Sequence, residues 1–105
     1  MKRISAREAI ELAGSSTIID VREDDEYAAV HVAGSVSIPM SSFVDHLDQV
    51  PTGAAVYILC ASGNRSAKVT EYLAEHDYDA TNIDGGITAW SGCGGPVTSG
   101  AAAVR

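Results

Sequence analysis

The stretch Tyr57-Ile58-Leu59-Cys60-Ala61-Ser62-Gly63-Asn64-Arg65-Ser66 changes character in its middle. Ahead of Cys60 it belongs to the longest unbroken apolar run in the chain, residues 54–61. A continuous run without polar alternation reads as a strand covered on both faces of a sheet. Behind Cys60 the side chains become small and include a glycine, and from residue 65 to 76 the pattern is helical, with Val69, Tyr72 and Leu73 on one face. Strand, small loop and helix in immediate succession place the cysteine at the carboxyl end of a central strand.

The flanking sequence repeats this alternation. Ser5 and Glu8 form an S-x-x-E capping box ahead of Ala6, Ala9, Ile10 and Ala13, and Gly14 ends the helix they predict. Residues 17–21 read as a short buried strand, 24–31 as a helix, and 36–38 as a strand ended by Pro39. Ser41 or Ser42 caps a predicted helix through Leu47, Pro51-Thr52-Gly53 is a turn, 80–83 is a last strand, and Gly85-Gly86 opens a helix ending near Trp90. Strands alternating with helices across short loops predict a three-layer α/β domain around a parallel sheet, whose ligands bind beyond the carboxyl ends of the strands. The chain's 105 residues suit one domain, expected over 1–97, with 98–105 as a flexible C-terminal tail.

Charge and composition exclude several functions. Seven basic against fourteen acidic residues give a net charge of −7, a poor match to a phosphate backbone or an anionic membrane surface. The longest apolar run is far short of the roughly 20 residues of a membrane span. The N-terminal residues lack the apolar core of a secretory signal, so a reducing cytoplasm with free thiols is the expected setting for the two cysteines, Cys60 and Cys93. His31, His46 and His76 show no ligand spacing, and neither a metal nor an organic cofactor is expected.

The chemistry concentrates at Cys60. A small Gly-containing loop can turn its backbone N–H groups inward around the sulfur, and the helix N-terminus behind it adds to the same field. Both favour thiolate and predict a pKa below the free value of about 8.5. Arg65, with Lys68 one turn on, supplies positive charge for an anionic substrate. Between Glu8 and Val104 the only other basic residue is Arg22, at the end of a strand on the same rim. Arg22 is a candidate for drawing in an anion, or a scaffold partner of Asp20, Glu26 or another carboxylate; the scaffold role is favoured. This reading requires a sulfur open to solvent and loop amides aimed at it.

The segment Cys60-Ala61-Ser62-Gly63-Asn64-Arg65-Ser66 resembles the active-site loop of rhodanese-homology domains, a sulfurtransferase superfamily. Ile19-Asp20-Val21-Arg22-Glu23 looks like the family's D-V-R segment, and Glu26-Tyr27 with His31-Val32-Ala33-Gly34-Ser35-Val36-Ser37-Ile38-Pro39 resembles its E-[YF]…G-H-I-x-G-A-x-N-I-P stretch. Gly85-Gly86 with Trp90, then Gly95-Pro96-Val97, resemble its closing motifs. The likeness runs in order over about residues 3–97 and implies a central, mostly parallel five-stranded sheet flanked by helices. Val30, Ser35 and Ser37 are mild departures. Ala61 stands where many members carry a basic residue, which weakens the loop's positive field.

The loop from Cys60 to Arg65 has six residues. By resemblance this length holds one persulfide sulfur, whereas the related phosphatases have one residue more and accept a phosphoryl group. The resemblance implies that the Cys60 thiolate takes a sulfur from a donor such as thiosulfate and passes it from a persulfide to cyanide or a thiol. Residues 61–66 (Ala61, Ser62, Gly63, Asn64, Arg65 and Ser66) and Arg22 are the expected substrate-binding set, with Asp20 and His31 as structural support. A sulfur-relay or regulatory module serving a dedicated protein partner is the alternative. Cys93, amid glycines, is either a resolving thiol or incidental, and Trp90 is expected to be core cover.

Overall fold

The computed structural model describes residues 1–102. Among the described residues seven strands and four α-helices follow in the order β1 (Lys2–Ser5), α1 (Ala6–Leu12), β2 (Thr17–Asp20), α2 (Asp24–Ala29), β3 (His31–Val32), β4 (Val36–Ser37), β5 (Val56–Leu59), α3 (Asn64–Glu75), β6 (Ala80–Asp84), α4 (Gly86–Gly92) and β7 (Val97–Thr98). The main sheet has the order β1-β6-β5-β2-β4, and every neighbouring pair in it is parallel. β5 is therefore central, with Ile58 opposite Ile19 on one side and Asn82 on the other. β3 and β7 form a separate antiparallel pair.

The apolar run folds as a strand with both faces covered. Alternate residues of a strand face opposite ways. Val56, Ile58 and Cys60 pack with Val69 and Leu73 of α3 and with Phe43 and Val50, whereas Leu59, with Tyr57 partly buried beside it, packs with Ala6 and Ala9 of α1 and Ile87 and Trp90 of α4. These two clusters are the two interfaces of the three-layer domain. Ile58, wholly buried, contributes enough that truncation to alanine costs about 2–5 kcal/mol. The same alternation puts Cys60, the residue after β5, on the α3 side of the sheet.

Local chemistry sets the element ends. Ser5 Oγ accepts the Glu8 N–H at 3.1 Å, and Glu8 reaches back to the Ser5 N–H at 3.4 Å, so the capping box starts α1. Gly63 caps α3 with φ of 104°, a left-handed value that favours glycine.

Four elements differ from the sequence reading. The helix expected over 24–31 ends at Ala29, and His31–Val32 form β3. β1 carries no strand pattern, yet it pairs with β6 from Lys2 opposite Thr81 to Ser5 opposite Asp84. The helix expected through Leu47 is two 3₁₀ turns, Met40–Ser42 and Val44–Gln49, with a non-helical backbone at His46. The tail expected from residue 98 is docked at its start: Thr98 lies opposite His31, and the Gly100 N–H donates to the Ala28 carbonyl at 2.9 Å. Residues 103–105 of that tail lie outside the described residues. No helix among the described residues is long and apolar enough to cross a membrane.

Candidate active site

The chain leaves β5 at Leu59, turns through residues 60–63 and enters α3 at Asn64. This turn brings two donors onto the sulfur. The Gly63 N–H donates to Cys60 Sγ at 3.1 Å, and the Ser66 hydroxyl, from the first turn of α3, donates at 3.2 Å. Burial pushes the Cys60 thiol up. The Ser66 hydroxyl and the backbone amides of Ser66, Gly63 and Ser62 pull it down, and they win: the pKa lies below the ordinary thiol value. One loop amide, that of Gly63, is hydrogen-bonded to the sulfur. The openness required by the sequence reading is absent: Cys60 is 1% exposed and sits at the floor of its loop.

Arg65 does not hang free over the sulfur. Its guanidinium grips Glu26 of α2 with two parallel hydrogen bonds, Nη1 to Oε1 at 2.7 Å and Nη2 to Oε2 at 2.9 Å. The Arg65 hydrogen bonds hold the Glu26 carboxyl at about 2, against an ordinary 4.5, although its partial burial opposes this. Glu26 in turn raises the Arg65 pKa, with a further contribution from the charge of Cys60. Arg65 thus lies within electrostatic reach of the sulfur while its own charge is largely balanced. Glu26 is the functional residue whose pairing with Arg65 the sequence did not reveal; the two are 39 positions apart and only the fold joins them.

Arg22, for which the sequence favours a scaffold role, lies against Asp20. It is 4% exposed and clasps Asp20 through Nε and Nη2, while Nη2 also donates to the Val30 carbonyl at 2.6 Å. A guanidinium so committed ties β2 to the end of α2. Asp20 is wholly buried and also accepts the Arg22 N–H at 2.9 Å. His31 stacks on Tyr27 with ring centroids 3.8 Å apart, and its Nδ1 lies 2.9 Å from the Tyr27 carbonyl.

The rest of the loop divides by direction. Ala61 is half-buried and its carbonyl accepts the Thr88 N–H, Ser62 and Asn64 are exposed, and Gly63 and Ser66 are buried against the sulfur. Lys68 forms no ion pair among the described residues. Cys60 and Cys93 are both free thiols, the first buried and the second exposed. Among the described residues there is no cluster of three or more His, Cys, Asp or Glu able to hold a metal.

Comparisons with known proteins identify the family to which this architecture belongs. The family model described as the rhodanese-like domain matches residues 5–93. Thiosulfate sulfurtransferase GlpE of Pseudomonas entomophila is 31% identical over 91 residues, covering 85% of this chain and 84% of that protein. YtwF of Bacillus subtilis, provisionally named a sulfurtransferase, is 34% identical over 86 residues, covering 82% of this chain and 84% of its own. Among solved structures, a rhodanese-related protein from Thermoplasma volcanium superposes with a TM-score of 0.88 at 31% identity, covering 93% of this chain and 98% of the other. By sequence and by architecture, the chain belongs to the rhodanese-like domain family.

Proposed function

We propose that this chain is a sulfurtransferase that carries one sulfane sulfur on Cys60. The observation that supports it most is the convergence of the Gly63 N–H and the Ser66 hydroxyl on Sγ inside a six-residue loop. Donors already aimed at Sγ hold the nucleophile ionised before reaction. Because Cys60 is 1% exposed, this reading requires the loop to open for the donor; in the first step the uncovered thiolate attacks the outer sulfur of thiosulfate. The Sγ–S bond forms, the S–S bond of thiosulfate breaks, and its electron pair leaves with sulfite. In the second step cyanide or a thiolate attacks the outer sulfur of the persulfide, and the electron pair of that S–S bond restores the Cys60 thiolate. Splitting one transfer into two displacements is covalent catalysis, and a pre-ionised nucleophile needs no adjacent general base. Arg65 is the substrate-facing cation, and Asp20, Arg22 and His31 hold the rim. The chemistry requires a free thiol, as a reducing cytoplasm maintains.

The burial of Cys60 favours one second reading, a sulfur-relay module whose loop opens to a dedicated protein partner. The test is intact mass after incubation with thiosulfate. A gain of one sulfur atom, removed by cyanide and absent in Cys60→Ser, supports sulfur transfer. Loading by a persulfide donor without steady-state thiocyanate production supports the relay. Cys60-dependent hydrolysis of an aryl phosphate without any sulfur gain would overturn both.

A further inference from the structure

The loop whose Gly63 N–H donates to Cys60 Sγ is held from outside at its start, through the carbonyls of Cys60 and Ala61. The Ile87 N–H donates to the Cys60 carbonyl at 2.8 Å, and the Thr88 N–H donates to the Ala61 carbonyl at 3.2 Å. A trans peptide is planar, so its C=O and N–H point in opposite directions. The Ala61 carbonyl and the Ser62 N–H form one such unit, so fixing the former fixes the direction of the latter. The first turn of α4 approaches closely only because Gly86 has no side chain. A Cβ there would overlap the Cys60 carbonyl oxygen and lie 2.5 Å from the Ala61 oxygen, and the residue sits at φ of 57°. From below, Gly63 rests against the same segment: a Cβ on it would lie 3.1 Å from the Gly85 nitrogen.

We propose that the start of α4 is the clamp that aims the catalytic loop, with Gly86 as a positioning residue and the Ile87 and Thr88 amides as its two jaws. The clamp rests on the reading of Cys60 as the sulfur carrier, but it acts on the thiolate itself and can be read without any sulfur transfer. Releasing the jaws lets the Ala61–Ser62 peptide rotate, and the sulfur loses the Ser62 N–H that helps hold it ionised.

The experiment measures the pH dependence of Cys60 alkylation by iodoacetamide, site by site by mass spectrometry, with Cys93 in the same chain as the internal reference. In Gly86→Ala the Cys60 inflection is expected to rise by about one pH unit, the size of one weakened hydrogen bond to an ion. Thr88→Pro removes one jaw without adding bulk at Gly86, and is expected to move the inflection the same way. Ile87→Ala trims a buried side chain but keeps its N–H, so it is expected to lower Tm and leave the inflection in place. Wild-type inflections in both folded jaw variants, or an equal shift in Ile87→Ala, would overturn the clamp. If neither jaw variant folds, the unmodified chain decides. Slow hydrogen exchange at the Ile87 and Thr88 amides and a Ser62 amide resonance that titrates with Cys60 support the clamp; fast exchange at both jaws overturns it. Failure of sulfur loading with an intact clamp would instead count against the proposed function.

Discussion

Arg65 and Glu26 meet in a two-pronged ion pair at 2.7 and 2.9 Å, so the one arginine in the Cys60 loop is largely neutralised by a carboxylate from a different helix. A dianionic donor must share Arg65 with Glu26. In Glu26→Gln the guanidinium keeps a hydrogen-bonding partner but regains its net charge. The KM for thiosulfate is expected to fall several-fold, and loading by an uncharged persulfide donor is expected to change little. Equal changes for both donors would show that Arg65 does not face the substrate.

The same pair gives the fold a defined acid response. Glu26 has a native pKa of about 2 against 4.5. A carboxyl depressed on folding adds stability that is fully present above its unfolded pKa and is lost as pH falls through the folded one. The difference in Tm between the wild type and Arg65→Ala is therefore expected to be constant above about pH 5 and to vanish toward pH 2. Both side chains are about one-third exposed, so the plateau is expected to be small, in the range of a surface pair. A Tm difference independent of pH would mean that Arg65 stabilises by packing alone.

Ser66 contributes to the sulfur what no backbone amide does, a hydroxyl donor that is itself fully buried. Removing it leaves burial, which raises the thiol pKa, opposed by fewer hydrogen bonds. The inflection of Cys60 alkylation is expected to move toward the ordinary thiol value in Ser66→Ala, with a rate at neutral pH lower by about tenfold, one pH unit's worth of thiolate. An unchanged profile would assign the ionisation to the loop amides alone.

Much of this site was legible in the sequence because it is local. The apolar run, the small loop and the helix behind it lie within twenty residues, so strand end, cradle and thiolate follow from short-range chemistry. The capping box at Ser5 and Glu8 is legible for the same reason. What the sequence hid is whatever the sheet order brings together. β1 is a polar edge strand whose only signal is its pairing with β6, and the partners of Arg65 and of the Cys60 and Ala61 carbonyls lie on α2 and α4. Gly85-Gly86 stood out as a motif, but the backbone it approaches is visible only in three dimensions. The depth of Cys60 was missed for a related reason. Small loop side chains give access when the loop stands away from the protein, whereas this one is folded down onto its own helix.

Burial and ionisation make opposite demands on Cys60, and reagents of different size separate them. Its thiolate fraction is raised, but the residue is 1% exposed, while Cys93 is exposed. A bulky aromatic disulfide is expected to modify Cys93 rapidly and Cys60 at least about tenfold more slowly, because reaction at a thiol depends on access as well as on thiolate. Slim iodoacetamide is expected to narrow that gap. Fast modification of Cys60 by both reagents would show that the loop stands open in solution.

Asp20 and Arg22 form a buried arginine–carboxylate pair, and its energetics differ because water is absent. Their side chains are 0% and 5% exposed. Removing one partner of a buried pair strands the other charge and costs about 3–5 kcal/mol, whereas replacing both with well-packed apolar residues can be close to neutral. Arg22→Met is therefore expected to destabilise strongly in denaturant titration, and Asp20→Leu combined with Arg22→Met to recover much of the loss. Sulfur loading per folded molecule is expected to persist in Arg22→Met, because the guanidinium touches Asp20 and the Glu26 and Val30 carbonyls rather than the sulfur. Loading lost from folded Arg22→Met, with stability little changed, would return Arg22 to the substrate-binding set.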